Sequence, residues 1–199
     1  MIWGIDFSFP PGSPELYGLL ILLITGERLV EMVIARRNAA RAFARGGVEV
    51  GRGHWPVMVF LHTSFLAACV VEVFVAQRPF LPWLGWPMFA FALVAQGLRY
   101  WVITTLGERW NARVIVVPGE ESITGGPFRW IRHPNYVAVV TELLVIPLIH
   151  TAYITAIIYS VANLLLLRSR VRVEEEALRE HLGYDGAMGD KPRFLPSKE

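Results

Sequence analysis

Residues 132–167 read RHPNYVAVVTELLVIPLIHTAYITAIIYSVANLLLL, a basic motif that continues directly into an apolar stretch. The apolar part, 136–167, covers 32 residues. A transmembrane helix needs about 20 residues. The stretch is therefore longer than one span and too short for two full spans. Pro147 and the polar pair His150-Thr151 lie near the middle, where a turn is expected. The stretch therefore predicts a tight helical hairpin, with helices that are tilted, broken or extended into the cytosolic layer.

Three further apolar segments have the length of a membrane span: 16–35, 55–76 and 83–106. Of the 199 residues, 54% are hydrophobic and 18% charged, whereas a soluble domain carries about 25% charged residues. This composition excludes a disordered chain and argues against a soluble enzyme. The single cysteine excludes a disulfide-rich fold, and a net charge of +2 gives no argument for nucleic acid. We expect one all-α membrane domain over 1–199 with five spans.

The distribution of arginine predicts the orientation of these spans. The connections after the first, third and fifth spans are basic, whereas the connection after the second has only Arg78 and the turn near His150 has none. By the positive-inside rule, the N-terminus lies outside and the C-terminus lies in the cytosol. Residues 1–14 lack a signal-peptide pattern and are expected to form a short non-cytosolic tail. Residues 107–135 and 168–199 are then cytosolic.

Several ionisable side chains fall inside the predicted spans. They are Glu27, Arg28, Glu31, His62, Glu72, Arg99 and Glu142. A charge at this depth costs about 2.5 to 3.5 kcal/mol and normally faces a partner or a wet cavity. Glu27, Arg28 and Glu31 can share one helical stripe, which is typical of a structural network between helices. Glu142 has no obvious local counter-charge, so a role facing a cavity and a structural role both stay open.

The most irregular part of the chain, 119–136, precedes the fourth span. Gly125-Gly126-Pro127 predicts a turn, and Pro134 suits the first turn of the following helix. His133 is therefore expected at a helix N-terminus, which offers amide donors to an anionic group. Arg170 and Glu174, at the end of the fifth span, are four residues apart and lie on one helical face.

Taken together, these segments resemble the isoprenylcysteine carboxyl methyltransferase superfamily of membrane methyltransferases. The resemblance covers about 93–196. It rests on residues 126–136 (GPFRWIRHPNY), Arg170 with residues 174–178 (EEEAL), Gly183-Tyr184 and residues 192–196 (PRFLP). Residues 27–31 (ERLVE), Arg37-Asn38, residues 47–49 and His54 resemble a bacterial branch whose members often accompany type III polyketide synthases and methylate alkylresorcinols or alkylpyrones. This resemblance implies that the protein lies in a bacterial inner membrane.

The resemblance implies a binding site for S-adenosylmethionine. Carried over by position, the cofactor-binding residues are Arg113, Glu120, Glu121, Ser122, Ile123, Phe128, His133, Pro134, Asn135, Tyr136 and Glu174. The substrate-facing arginine of the family falls on Arg170. Phe128 stands where the family often has tyrosine, and Arg113 where it commonly has an amide, so these two contacts differ from the family pattern. The sequence contains no metal-ligand cluster, and the expected chemistry needs none.

We therefore expect an S-adenosylmethionine-dependent O-methyltransferase whose lipophilic acceptor enters laterally from the bilayer. The favoured acceptor is a phenolic polyketide lipid, with an adjacent polyketide synthase as a candidate partner. A phenol has a pKa near 10, so Arg170 would stabilise its oxyanion and Glu142 or His133 would take the proton.

Three alternatives stay open. The first is carboxyl methylation of a prenylated cysteine or lipid acid, in which Arg170 is a carboxylate clamp. The second is N-methylation of a phospholipid or amine, or a related nicotinamide-dependent reductase. The third is a non-enzymatic membrane scaffold or carrier.

Overall fold

The computed structural model describes residues 11–195, which form six α-helices and two short strands. In chain order these are α1 (Pro14–Ala44), β1 (Val48–Val50), α2 (His54–Val75), α3 (Pro82–Leu106), β2 (Val114–Val116), α4 (Pro134–Leu148), α5 (Tyr153–Leu182) and α6 (Tyr184–Met188). Short 3-10 turns occupy Gly107–Arg109 and Gly126–Arg129. The predicted helical membrane fold is confirmed, and helices α1 to α5 lie where the five spans were expected.

Three helices of the described part are long and apolar enough to cross a membrane, at His54–Val75, Pro82–Arg109 and Tyr153–Leu182. Helix α1 has the length, at 31 residues, but its apolar stretch is interrupted by Glu27, Arg28 and Glu31. Helix α4 is apolar but has only 15 residues. The crossing of the membrane by all five helices therefore stays a prediction.

The predicted hairpin is formed by α4 and α5, and their turn is fixed by polar contacts. Thr151 takes a positive φ of 54° in this turn, and its Oγ1 donates to the carbonyl of Pro79 at 2.8 Å. The His150 ring nitrogens lie 2.8 Å from the carbonyl of Gly12 and 3.1 Å from that of Arg78. Glu72 accepts hydrogen bonds from the backbone N–H and the hydroxyl of Thr155, both at 2.7 Å. This end of the bundle is therefore held by side chains that satisfy otherwise exposed backbone groups.

Helix α4 is the centre of the bundle. It packs against α3 on one side and α5 on the other, and most of its residues are buried. Val139, Leu143 and Ile146 join Tyr17 and Phe65 in the main apolar cluster. The other long helices instead expose large apolar side chains, among them Leu22, Phe60, Val94 and Leu165. An apolar outer surface with a buried central helix suits a bundle surrounded by lipid.

The two predicted cytosolic segments pack together beyond the bundle. Strands β1 and β2 pair antiparallel with Val48 opposite Val116, a sheet that was not predicted because three-residue strands give no readable alternation. The backbone N–H groups of Arg132 and His133 each donate at 3.0 Å, to the carbonyls of Pro192 and Arg193. The C-terminal segment thus lies along the start of α4. Most of the expected tail 1–14 lies outside the described residues.

The predicted orientation can be tested with single cysteines at exposed positions on opposite ends of the bundle. Cys69 is buried, so background labelling should be low. A cysteine replacing Ala76, in the α2–α3 connection, should react with an impermeant maleimide in intact cells. A cysteine replacing Asp190 should react only after permeabilisation, because positively charged connections stay in the cytosol. The reverse labelling of either position would contradict the orientation.

Candidate active site

A cavity of about 540 Å³ begins between the segments 107–123 and 168–188, beyond the bundle, and extends from there between the helices. Its volume falls in the range of about 300 to 1,000 Å³ that is typical of ligand sites. Every site residue predicted from the sequence lies on its wall. These residues are Arg113, Glu120, Glu121, Ser122, Ile123, Phe128, His133, Pro134, Asn135, Tyr136, Glu142, Arg170 and Glu174. The structure thus brings the predicted set together, whereas their individual roles stay predictions.

His133 is the N-cap residue of α4, as expected, and only 4% of it is exposed. Its Nε2 lies 3.1 Å from Oε1 of Glu175, and its ring stacks on Tyr136 with centroids 5.3 Å apart. The ring is therefore oriented by a carboxylate of α5. This arrangement fixes the entry of the chain into α4, where Pro134 and Asn135 form the cavity wall.

Glu175 is fully buried and forms the hub of this end of the cavity. Besides the contact with His133, its oxygens accept from Arg193 at 2.9 and 2.7 Å and from Arg179 at 3.2 Å. The hydrogen bond to Glu175 raises the pKa of Arg193, so this guanidinium keeps its charge. A buried carboxylate with several cationic donors is stable because its charge is fully compensated.

Tyr136 connects Arg170 and Glu174 across the cavity wall. Nε of Arg170 donates to the Tyr136 hydroxyl at 2.9 Å, and that hydroxyl donates to the Glu174 carboxylate. A second guanidinium nitrogen of Arg170 donates to the carbonyl of Ala112 at 2.6 Å. The predicted sharing of one face by Arg170 and Glu174 is confirmed, and these bonds hold the Arg170 charge in a fixed position.

The loop before the turn is held by ion pairs on the outer side of the cavity. Glu120 pairs with Arg45 at 3.1 Å and with Arg109 at 2.9 Å, and Arg109 also donates to the carbonyl of Glu121 at 2.6 Å. The guanidinium of Arg113 stacks over Trp55 at 5.1 Å. The charge of Glu120 is thus already compensated by protein, so its expected cofactor contact does not depend on a free carboxylate.

Three buried polar atoms on this part of the wall have no hydrogen-bond partner within residues 11–195. They are Oδ1 of Asn135, Nε1 of Trp110 and the hydroxyl of Tyr184. Burial raises the pKa of Tyr184, and the charges of Glu174 and Glu175 raise it further, so the hydroxyl stays protonated. Because buried polar groups are normally paired, this concentration of unpaired donors and acceptors indicates a ligand-binding surface.

Glu142, which has no counter-charge close to it in the sequence, is paired in the structure with a distant arginine. Both of its carboxylate oxygens accept from Arg99, one of them at 2.9 Å from Nε, and both side chains are buried. Arg99 also lies 3.7 Å from Glu31, which pairs with Arg28 at 2.9 Å. Glu142 is therefore part of a buried ion network that joins α1, α3 and α4, and both of its oxygens are engaged.

Several residues on this wall or beside it were not predicted from the sequence to belong to the site. Arg99 was noted as an intramembrane charge but not paired with Glu142, because no local spacing links residues 43 positions apart. Glu175 was assigned no role, although Arg179 four residues later is a signal for an ion pair. Tyr184 belonged to the Gly183-Tyr184 match but was assigned no role, and Trp110 belonged to no motif.

The hub predicts that Glu175→Ala lowers the free energy of unfolding by about 2 kcal/mol, because it leaves the buried Nε2 of His133 without a partner and removes the hydrogen bonds that hold Arg179 and Arg193. The measurement is denaturant unfolding of the purified protein in detergent. Glu176→Ala is the matched control, since Glu176 is the exposed neighbour and its loss should change stability by less than about 0.5 kcal/mol. Equal stability of the two variants would contradict the role of Glu175 as the hub.

Comparisons with known proteins identify the family of this chain. Residues 88–180 match the model of the isoprenylcysteine carboxyl methyltransferase (ICMT) family. The chain is 38% identical over 167 residues to the uncharacterized protein YpbQ of Bacillus subtilis, covering 83% of this chain and 98% of that protein. It is 25% identical over 154 residues to an uncharacterized protein of Haemophilus influenzae, covering 76% of this chain and 88% of that one.

A likeness to a solved structure supports the same conclusion about the fold. The eukaryotic intramembrane Ras methyltransferase ICMT, solved without a monobody, superimposes with a TM-score of 0.50 at 23% identity. The match covers 66% of this chain and 48% of the other, so the chain spans about half the length of that structure. The bacterial alkylresorcinol branch stays a prediction. The family is established: this chain belongs to the isoprenylcysteine carboxyl methyltransferase family.

Proposed function

We propose that this protein transfers a methyl group from S-adenosylmethionine to an oxygen of a lipophilic acceptor, and that the acceptor oxygen belongs to a carboxylate. The observation that carries the proposal is one continuous cavity, which joins the His133-Pro134 motif and Arg170 to apolar residues inside the bundle. A water-soluble cofactor and a membrane-soluble acceptor can thereby meet without either leaving its own phase.

The residues of the outer part of the cavity fit the cofactor. When bound, S-adenosylmethionine supplies an electrophilic methyl group on a sulfonium. Asn135, Trp110 and Tyr184 offer the unpaired acceptor and donors that an adenosyl and amino-acid moiety needs. The N-terminus of α4 favours an anionic carboxylate, and apolar wall residues such as Phe128 and Ile123 suit a base ring. His133 and Glu174 act here by orienting α4 and Tyr136.

Arg170 holds the acceptor in this scheme. Its guanidinium is fixed by Tyr136 and Ala112, and a fixed cation on the cavity wall orients a carboxylate and stabilises its charge during transfer. Methyl transfer is an in-line displacement, so alignment of the two reacting groups supplies much of the rate enhancement. The acceptor reaches Arg170 through the side of the bundle, where Leu29, Val59 and Thr63 line the cavity and are also exposed.

The state of Glu142 favours a carboxylate over a phenol as acceptor. A carboxylate is ionised at neutral pH and needs no base, whereas a phenol must lose a proton. Glu142, the base expected for a phenol, has both oxygens bound by Arg99. For this reason the phenolic lipid becomes the second candidate, together with the polyketide synthase partner and the alkylresorcinol branch.

Glu31 is a candidate proton acceptor for a phenolic substrate. Oε1 of Glu31 is buried on the cavity wall and has no partner in the described part of the chain. Oε2 of the same carboxylate is held by Arg28 at 2.9 Å. If a phenol is the acceptor, Glu31 rather than Glu142 is the residue with a free oxygen to receive its proton.

The cofactor assignment predicts that Asn135→Ala weakens S-adenosylmethionine binding about tenfold, the effect of one lost hydrogen bond. The thermal midpoint should stay unchanged, because Oδ1 of Asn135 has no partner within 11–195 to lose. Calorimetry in detergent measures the affinity. His133→Ala is the comparison, and it should lower both affinity and stability because its ring is bonded to Glu175. Wild-type affinity of a folded Asn135→Ala variant would remove Asn135 from the site.

The acceptor assignment predicts that Arg170→Ala reduces transfer to any acceptor by at least about 10²-fold, whereas Arg172→Ala, an exposed arginine of the same helix, leaves it unchanged. Glu31→Gln should not affect carboxylate acceptors. The measurement is transfer of a labelled methyl group to a long-chain acid and to an alkylresorcinol.

Two results of this comparison would reverse the preference for a carboxylate. The first is faster methylation of the alkylresorcinol than of the acid by the wild-type protein. The second is a selective loss of the phenol reaction in Glu31→Gln. A selective loss in Glu142→Gln would restore Glu142 as the base despite its pairing with Arg99.

A further inference from the structure

Asn163 is a polar side chain in the apolar part of α5 with no assigned role. It lies in the run Val-Ala-Asn-Leu-Leu and is only 1% exposed. Neither Oδ1 nor Nδ2 has a hydrogen-bond partner among the residues that the structure describes, and the side chain lies on the cavity wall. An amide left unpaired at membrane depth is costly, because neither lipid nor apolar side chains can satisfy it.

The position of Asn163 relates it to the acceptor rather than to the cofactor. It precedes Arg170 by seven residues, which is two helical turns, so the two residues share one face of α5 about 10 Å apart along the axis. Leu166 and Leu167 lie between them on the same wall. A molecule whose reacting oxygen lies at Arg170 and whose chain extends into the bundle therefore passes Asn163.

Further unpaired atoms on the wall indicate the same kind of ligand. Nε of Arg28 and Oε1 of Glu31, both on α1, are buried without a partner in the range 11–195. A plain hydrocarbon chain would leave these groups and Asn163 unsatisfied. A chain that carries a hydroxyl would supply both a donor and an acceptor.

We propose that Asn163 is a specificity-determining residue that binds a hydroxyl group on the chain of the lipid acceptor, two helical turns along α5 from the backbone of Arg170. This inference rests on the proposed methyl transfer at Arg170. It adds that the acceptor is an oxygenated lipid acid rather than an unsubstituted one. The amide donates to and accepts from this hydroxyl, so an acceptor without it leaves a buried polar group unpaired and is discriminated against.

The test uses straight-chain acids of one length in which a single hydroxyl is moved along the chain, with the unsubstituted acid as reference. For the wild-type protein in detergent, kcat/KM should be at least about tenfold higher for the acid whose hydroxyl lies at the depth of Asn163. Asn163→Leu should remove this preference while it still methylates the unsubstituted acid. Ser160→Ala is the control: its buried hydroxyl on the same helix also lacks a partner in the described chain but is not on the cavity wall, so the preference should persist.

A thermal melt without lipid gives a readout that does not depend on turnover. Because Asn163→Leu replaces an unpaired amide with an apolar group, its melting temperature should equal or exceed that of the wild type. A lower melting temperature would identify Asn163 as structural and overturn the inference. Methylation of all acids at the same rate would also overturn it while leaving the proposed function intact. Failure of the wild type to methylate any acid or phenol, with S-adenosylmethionine bound, would instead overturn the proposed function.

Discussion

The buried carboxylate of Glu175 is the interaction on which the outer half of the cavity depends. It contacts His133 at the start of α4, Arg179 on its own helix and Arg193 in the C-terminal segment. A fully buried charge is tolerated only when several donors compensate it. These three segments must therefore assemble together, and the positions of Asn135 and Tyr136 on the cavity wall follow from that assembly. The arrangement of the motif residues on the wall thus depends on Glu175, which does not itself line the cavity.

A second buried ion network holds three helices together inside the bundle. Arg99 of α3 joins Glu142 of α4 to Glu31 of α1, and Arg28 completes the chain of charges. Charges at membrane depth are expensive unless they are paired, so this network fixes how the three helices are rotated. Between the two polar layers the wall is apolar, with residues such as Leu143 and Leu166. The cavity therefore has one polar region near Glu175, a second polar region at the ion network inside the bundle, and an apolar passage between the two.

The part of the site that could be predicted from the sequence lies on residues close together along the chain. Arg170 and Glu174 share a face because the helical repeat fixes that geometry locally, and His133 precedes a proline that starts a helix. The pairing of Arg99 with Glu142 depends instead on the packing of α3 against α4. The rotation of α5 decides that Glu175 is fully buried whereas its acidic neighbour Glu176 is exposed. Tertiary packing determines both of these features, so neither can be predicted from the local periodicity of the sequence.

Under the proposed function and the predicted five-span orientation, the short length of α4 explains why the two substrates can meet. A helix of 15 residues rises only about 22 Å, less than the hydrocarbon thickness of about 30 Å. With its C-terminal end held in the turn by His150 and Thr151, its N-terminus cannot reach the opposite surface of the bilayer. In the predicted orientation, the start of α4 and the residues around it therefore lie below that surface. A cofactor that binds there has its reactive end at the depth where the polar end of a lipid already resides, so the acceptor needs only to move sideways.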